Sequence, residues 1–142
     1  MRNPEAVAWV VASEGSISLI RANYERSIAP VINVYTKEEF LTKFKDMVDD
    51  VGQIWTRGAR KAGNAQSYEW SLNTYATCLN FLLEIYEYLP IKQEQANVVI
   101  DFCTRAIEQK RHISSGRYRP KPTQEDWDAL DLIHHLNRKG GE

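Results

Sequence analysis

An acidic residue at the joint between a helix and a strand is the feature of this sequence best suited to chemistry. Glu14 follows an apolar run at 6–12 and precedes Gly15 and the alternating residues 16–19, which predict a strand. A carboxylate at a helix C-terminus opposes the helix dipole, which costs about 0.3–1 kcal/mol. A divalent cation would reverse that cost, with Glu14 and Ser13 as ligands. The alternative is a solvated glutamate before a C-cap glycine.

The elements that must position Glu14 follow from hydrophobic periodicity. Asn3 and Pro4 read as the cap and first position of a helix over 4–13. Strands are predicted at 16–19, 28–35, 53–57 and 67–73, with a helix after each pair. Thr36 with Glu39 has capping-box spacing, and Phe40 falls on the apolar stripe of that second helix. Thr123 with Asp126 predicts the cap of the last helix.

The predicted fold class is α+β, in the order αββαββα with two further C-terminal helices. The four strands form one antiparallel sheet with helices on one face. At 142 residues, the chain fits one domain over 1–142. The two cysteines, Cys78 and Cys103, lie in apolar helical stretches and are expected to be buried free thiols.

The second face of this sheet is polar and has no predicted core to join. A solvated face is the simple interpretation of it. The mixture of donors and acceptors also suits base edges in a DNA major groove, where Asn and Gln suit adenine and Glu accepts from cytosine. The candidate DNA-binding residues on this face are Ser16, Ser18, Asn33, Gln53, Trp55, Glu69, Ser71 and Asn73.

Basic residues near the predicted hairpins suit phosphates. The net charge of −1 argues mildly against nucleic acid, but a duplex senses the local face of the protein. Residues 53–68 carry basic residues and no acid, and residues 102–122 carry six basic residues against one acid. The candidate phosphate contacts are Arg21, Arg26, Arg57, Arg60 and Lys61.

Two motifs resemble those of the LAGLIDADG homing endonucleases. Residues 7–15, VAWVVASEG, are similar to the motif that names the family, with Glu14 at its metal-binding acid and Trp9 where a small residue is usual. The run from Lys92 to Ala96, KQEQA, is similar to the basic Gln-x-Gln-Ala segment that opens the helix after the sheet. The resemblance covers nearly the whole chain.

This resemblance implies a site-specific, magnesium-dependent DNA endonuclease whose sheet forms a DNA-binding saddle. Glu14 and Lys92 would be the catalytic residues, and Mg²⁺ or Mn²⁺ the cofactor, with Ca²⁺ binding without supporting cleavage. One acidic motif in each chain implies a homodimer that cuts both strands of a long, near-palindromic site of about 22 base pairs. The interface would be the helix over 4–13, through Val7, Ala8, Val11 and Ala12.

Two other functions stay open at this stage. One is a non-cleaving nucleic-acid binder on the same sheet, either a splicing factor that binds intron RNA or a DNA-binding regulator. The other is a protein-interaction domain, which would show no salt-dependent affinity for DNA. No signal-peptide pattern or long apolar run is found, so we expect no membrane partner and a place in the cytoplasm, or in an organelle matrix if the gene is organellar and intron-encoded.

Overall fold

The computed structural model describes residues 1–22, 26–57, 67–111 and 121–140. Its elements confirm the predicted α+β order. They are α1 (Pro4–Glu14), β1 (Gly15–Ala22), β2 (Ser27–Thr36), α2 (Glu38–Met47), β3 (Gln53–Arg57), β4 (Ser67–Leu72), α3 (Tyr75–Ile85), a 3-10 turn (Tyr86–Tyr88), α4 (Gln93–Glu108) and α5 (Gln124–Gly140). No helix in these ranges is both long and apolar enough to cross a bilayer.

The four strands form one antiparallel sheet in the order β1-β2-β4-β3. Alternate residues of each strand face opposite sides, so the sheet has a face packed under the helices and a second face, here called the wet face. Pro30 lies in the inner strand β2, but the pairing of β2 with β4 begins only at Ile32. The missing N–H of Pro30 therefore leaves no gap in that pairing.

The core lies between the sheet and the helices. Trp70 of β4 packs edge-on against Phe44 of α2, with ring centroids 4.8 Å apart, and its Nε1 donates to the Val51 carbonyl at 2.9 Å. Cys78 and Cys103 are buried free thiols, as predicted. Burial raises the pKa of Cys103 to about 12, so the thiol stays protonated and inert.

Helix α5 covers the exposed edge of β1. His134 Nε2 lies 3.0 Å from the Leu19 carbonyl, and Asn137 Nδ2 donates to the Ile17 carbonyl at 3.2 Å. The free carbonyls of an edge strand can pair with a strand of another chain, and here these two side chains contact the carbonyls instead.

The structure corrects two local predictions in α2 and confirms one in α5. Thr36 ends β2, and the N-cap of α2 is Lys37, which makes no side-chain capping bond, so the predicted capping box is wrong. Phe40 was placed in the core but is exposed. At α5 the cap is confirmed, since Thr123 Oγ1 accepts from the Asp126 amide at 3.3 Å and Asp126 Oδ2 accepts from the Thr123 amide at 3.0 Å.

Candidate nucleic-acid interface

Helix α1 passes into β1 with no loop between them. Glu14 is the last helical residue and is exposed, and Gly15 opens the strand. A Cβ on Gly15 would lie 3.0 Å from the Val11 carbonyl oxygen and closer still to that of Asn33. Only glycine allows the helix end to approach β2 so closely, and this approach fixes where Glu14 emerges beside the wet face.

Lys92 reaches the end of α1 from the N-cap of α4. Its Nζ donates to the carbonyls of Gly15 at 2.6 Å, Ala12 at 2.8 Å and Val11 at 3.4 Å. An ammonium has three donors, so these acceptors engage all of them. Helix α1 has no basic residue in its last turn, and Lys92 therefore supplies the cation that its carbonyl end favours.

The position of Lys92 is strained and partly desolvated. Its backbone adopts the left-handed conformation, with φ of 71°, which is unfavourable for a side chain with a Cβ. Partial burial lowers the pKa of Lys92 below its ordinary value of 10.5. The three hydrogen bonds to backbone carbonyls hold Lys92 in this unfavourable conformation, because a strained backbone persists only where its surroundings fix it.

The donor set at the end of α1 fits a shared metal rather than one held by a single chain. Ser13 Oγ donates to the Trp9 carbonyl at 2.8 Å, which leaves its oxygen lone pairs exposed next to Glu14. Over the described ranges, no three His, Cys, Asp or Glu side chains converge to hold an ion. Mg²⁺ is commonly bound through one or two carboxylates together with substrate phosphates, and one exposed Glu14 per chain suits that chemistry.

The predicted dimer-interface residues of α1 lie in the core of their own chain. Val7, Ala8, Val11 and Ala12 are each at most 4% exposed, so their side chains offer no surface to a second copy. This corrects the prediction, which took the apolar residues of the motif for the interface although the sheet needs them as core. The outer face of α1 instead carries Glu5, Trp9 and Ser13, and Trp9 is 55% exposed.

Three of the predicted base-reading residues form a network near the centre of the wet face. Ser16 Oγ donates to Asn33 Oδ1, and Asn33 Nδ2 donates to Glu69 Oε1 at 3.3 Å and to Tyr35 Oη at 3.0 Å. Asn33 and Glu69 are buried. Their polar atoms therefore organise the face, and the expectation that Glu69 accepts from cytosine does not fit its 4% exposure.

The other predicted residues of the wet face divide by exposure. Trp55 is exposed and its Nε1 donates to Ser71 Oγ at 3.1 Å, while Ser18 Oγ donates to the neighbouring Leu19 carbonyl at 3.2 Å. Gln53 and Asn73 are exposed at one end of the face. These two amides are therefore available to base edges, unlike that of Asn33.

The residues predicted to contact phosphates lie in different parts of the structure. Arg26 is exposed at the start of β2, and Arg57 ends β3. Arg60 and Lys61 lie outside the described residues. Arg21 does not lie on the wet face. It is opposite the buried Ile28 in the register, so it lies on the helix side of the sheet. Its guanidinium is 5.1 Å from the ring centroid of Trp127.

Tyr35 is the wet-face residue that the sequence-based selection missed. Its side chain is 48% exposed and its hydroxyl accepts from Asn33. The two-residue alternation of β2 already placed it on the polar face beside Asn33, so the signal was present. It was passed over because tyrosine has no fixed pairing with a base edge, whereas Asn, Gln and Arg do.

Comparison with known proteins finds similarity in structure and none in sequence. No family model matches the sequence, and no curated protein matches it. The structure is similar to the homing endonuclease I-CvuI in complex with its target in the presence of Ca, with a TM-score of 0.61 over 98% of this chain and 94% of that chain, at 13% identity. It is also similar to the archaeal intron-encoded homing endonuclease I-Vdi141I complexed with DNA, with a TM-score of 0.54 over 95% and 96% of the two chains, at 17% identity.

A third similarity covers part of a longer protein. I-SmaMI bound to an uncleaved DNA target in the presence of calcium ions aligns with a TM-score of 0.64 at 15% identity, over 97% of this chain and 46% of that chain. At identities this low the likeness establishes the fold. The same fold thus occurs in chains of about this length and in chains about twice as long.

Proposed function

We propose that this chain, which has the fold of the LAGLIDADG homing endonucleases, is a site-specific DNA endonuclease that works as a homodimer with a divalent metal ion. The observation that carries the proposal is the exposed Glu14 carboxylate at the end of α1, beside the polar wet face and with no ion-pair partner in the described ranges. Its orientation depends on the fixed joint between α1 and β1.

Each part of the site has a separate task. Glu14, with Ser13 beside it, would hold a Mg²⁺ ion, and such an ion neutralises charge at the scissile phosphate and activates a water molecule. Gln53 and Asn73 would contact base edges, and Arg26 would contact a phosphate. The network of Ser16, Asn33 and Glu69 would keep the wet face in one conformation during binding.

Lys92 fits a positioning role better than the catalytic role implied by the resemblance. An ammonium whose three donors are engaged by carbonyls has none left to direct at a phosphate or a water. By clamping the end of α1, it would fix the position of Glu14 relative to β1. A shift of about 1 Å in such a group can lower a reaction rate about 100-fold.

The count of carboxylates supports a homodimer. A double-strand cut needs two sites, and one chain supplies one Glu14. The two outer faces of α1 would meet, with Trp9 between them, and would bring the two Glu14 side chains near the two-fold axis.

The decisive experiment compares Glu14 with an exposed glutamate of another helix. A duplex site is first selected from a random library by binding in Ca²⁺, and cutting is then measured in Mg²⁺ and Mn²⁺. Glu14→Gln should lower the cutting rate at least about 100-fold and leave binding measurable. Glu39→Gln, which changes an exposed carboxylate of α2 outside the proposed interface, is the control and should cut normally. Unchanged cutting by Glu14→Gln would overturn the proposal.

A non-cleaving nucleic-acid binder is the second candidate, because every donor of Lys92 is occupied. It predicts salt-dependent duplex binding, or binding of intron RNA, with no cutting by the unmodified chain in either metal. The same cutting assay therefore separates the two candidates.

A further inference from the structure

Two aromatic side chains of the wet face have their polar tips engaged within the sheet. Trp55 donates its only N–H to Ser71 Oγ at 3.1 Å, and Tyr35 Oη accepts from Asn33 Nδ2 at 3.0 Å. Both side chains are nevertheless about half exposed, at 49% and 48%. The surface that Trp55 presents to a partner is therefore ring carbon, since its donor is already used.

These two residues lie in one row across three strands. In the sheet register, Tyr35 of β2 is opposite Glu69 of β4, and Glu69 is opposite Trp55 of β3. With strands about 4.8 Å apart, the two aromatic residues are separated by about 10 Å. Glu69 lies between them in the register and is buried. We call Tyr35 and Trp55 the aromatic row.

We propose that the aromatic row recognises the C5-methyl groups of thymines in the major groove of the target. This inference rests on the proposed function, because it takes the wet face as the surface that meets duplex DNA. In a duplex the base faces are stacked on one another, and the thymine methyl is the apolar feature that base edges expose in the major groove. The spacing of the two residues across the strands, about 10 Å, is close to about three base-pair steps of about 3.4 Å each.

The alternative use of exposed aromatics on a sheet is stacking of unpaired bases, as in proteins that bind single strands. The neighbours I-CvuI, I-Vdi141I and I-SmaMI were each solved with DNA, and the target in the I-SmaMI complex is described as uncleaved. A duplex partner favours contacts with methyl groups, and stacking becomes an outcome that the experiment can detect.

The test uses duplexes selected from a random library in Ca²⁺ by the unmodified chain, by Trp55→Ala and by Tyr35→Ala. Thymine should be enriched at fixed positions of each half-site for the unmodified chain, and each variant should lose the preference at one position. Replacing that thymidine with deoxyuridine, which pairs identically but lacks the methyl, should weaken binding about fourfold, as expected for one buried methyl group. The same replacement should not affect the variant that lost the preference.

Two further variants show whether a lost preference comes from the missing ring or from a folding defect. Trp55→Phe retains a ring but not the bond to Ser71, and it should keep the thymine preference. Phe40→Ala removes an exposed aromatic from α2, away from the wet face, and should select the same sites as the unmodified chain.

Failure of this inference can be told apart from failure of the proposed function. If the unmodified chain selects no duplex, the proposed function fails. If it selects duplexes but binds thymine and uracil sites equally, the aromatic row does not recognise methyl groups and the inference is overturned. Tighter binding of single strands than of duplexes, lost in Trp55→Ala, would also overturn it in favour of base stacking.

Discussion

Two carboxylates at helix ends, Asp126 and Glu14, have opposite surroundings. Asp126 lies in the first turn of α5 and is fully buried. Its Oδ1 accepts from Arg105 Nη2 at 3.2 Å, and its Oδ2 pairs with Arg111 and accepts from the Thr123 amide. Glu14 lies at the C-terminal end of α1 and is exposed, with no bond to another side chain in the part of the chain described.

The difference shows that one carboxylate is used to hold the fold together, whereas the other is left accessible to a ligand. Asp126 lies where the helix dipole favours an anion, and two arginines satisfy it, so it holds α4 to α5. Glu14 lies where the dipole disfavours an anion, and the nearest described cation, Lys92, binds backbone carbonyls. Of these two carboxylates, Glu14 is therefore the one that no described side chain neutralises, as the proposed metal site requires.

The largest effect expected from this comparison is on stability, at Asp126. Asp126→Ala should lower the free energy of unfolding by about 3 kcal/mol, because it leaves Arg105 and Arg111 facing a site built for an anion. The value is at the lower end for buried pairs because both arginines remain partly exposed. Urea denaturation followed by circular dichroism measures the change.

The matched variant at the other carboxylate should change stability in the opposite direction. Glu14→Gln removes an anion from a helix C-terminus and should leave the protein equally stable or up to about 0.5 kcal/mol more stable. If Glu14→Gln proved as destabilising as Asp126→Ala, Glu14 would be a structural residue and the contrast between the two sites would be lost.

The fold was largely predictable because its signals are local. The alternation in β1 to β4 and the glycine after Glu14 depend on residues close in sequence, and they predicted the sheet and the helix joint correctly. The failures at Thr36 and Phe40 concern where one helix begins and which side of it is buried. Several starts fit the same stretch, and packing against the rest of the chain selects one.

The site was less predictable because its contacts join distant parts of the chain. Lys92 and Gly15 are 77 residues apart, and although the resemblance implies that Lys92 shares a site with Glu14, no local pattern predicts that its ammonium binds the carbonyls at the end of α1. Asn33 and Glu69 were identified as polar but not as partners of each other, since their pairing depends on the register of β2 against β4. The burial of Val7 and Val11 likewise depends on the sheet that they cover.

The second-largest effect on stability is expected at Lys92, whose hydrogen bonds to the carbonyls at the end of α1 we call the clamp. Lys92→Met keeps most of the aliphatic stem and removes the ammonium, and it should lower the free energy of unfolding by about 1–2 kcal/mol, because three carbonyls lose a charged donor. Amide hydrogen exchange at Gly15 and Ser16 should quicken relative to the rest of β1. Lys45→Met, in the last turn of α2, is the control and should have little effect at the joint.

The clamp also predicts a separation between binding and cutting. In Lys92→Met, duplex affinity and its salt dependence should stay unchanged, since the ammonium contacts carbonyls rather than phosphate, while the cutting rate falls. A reduced salt dependence would instead place Lys92 at a DNA phosphate and contradict the positioning role.

The smallest effect is the pH dependence of the same clamp. Because partial burial lowers the pKa of Lys92 below 10.5, the unfolded chain holds more protons than the folded chain between the lowered pKa and 10.5. Stability linked to Lys92 therefore rises as pH increases through this window, and it is lost as pH falls through the folded-state pKa. The stability advantage of the unmodified chain over Lys92→Met should grow from neutral pH toward 10.5, as measured by urea denaturation. If the advantage shrank instead, the carbonyls would outweigh desolvation and hold the pKa above its ordinary value.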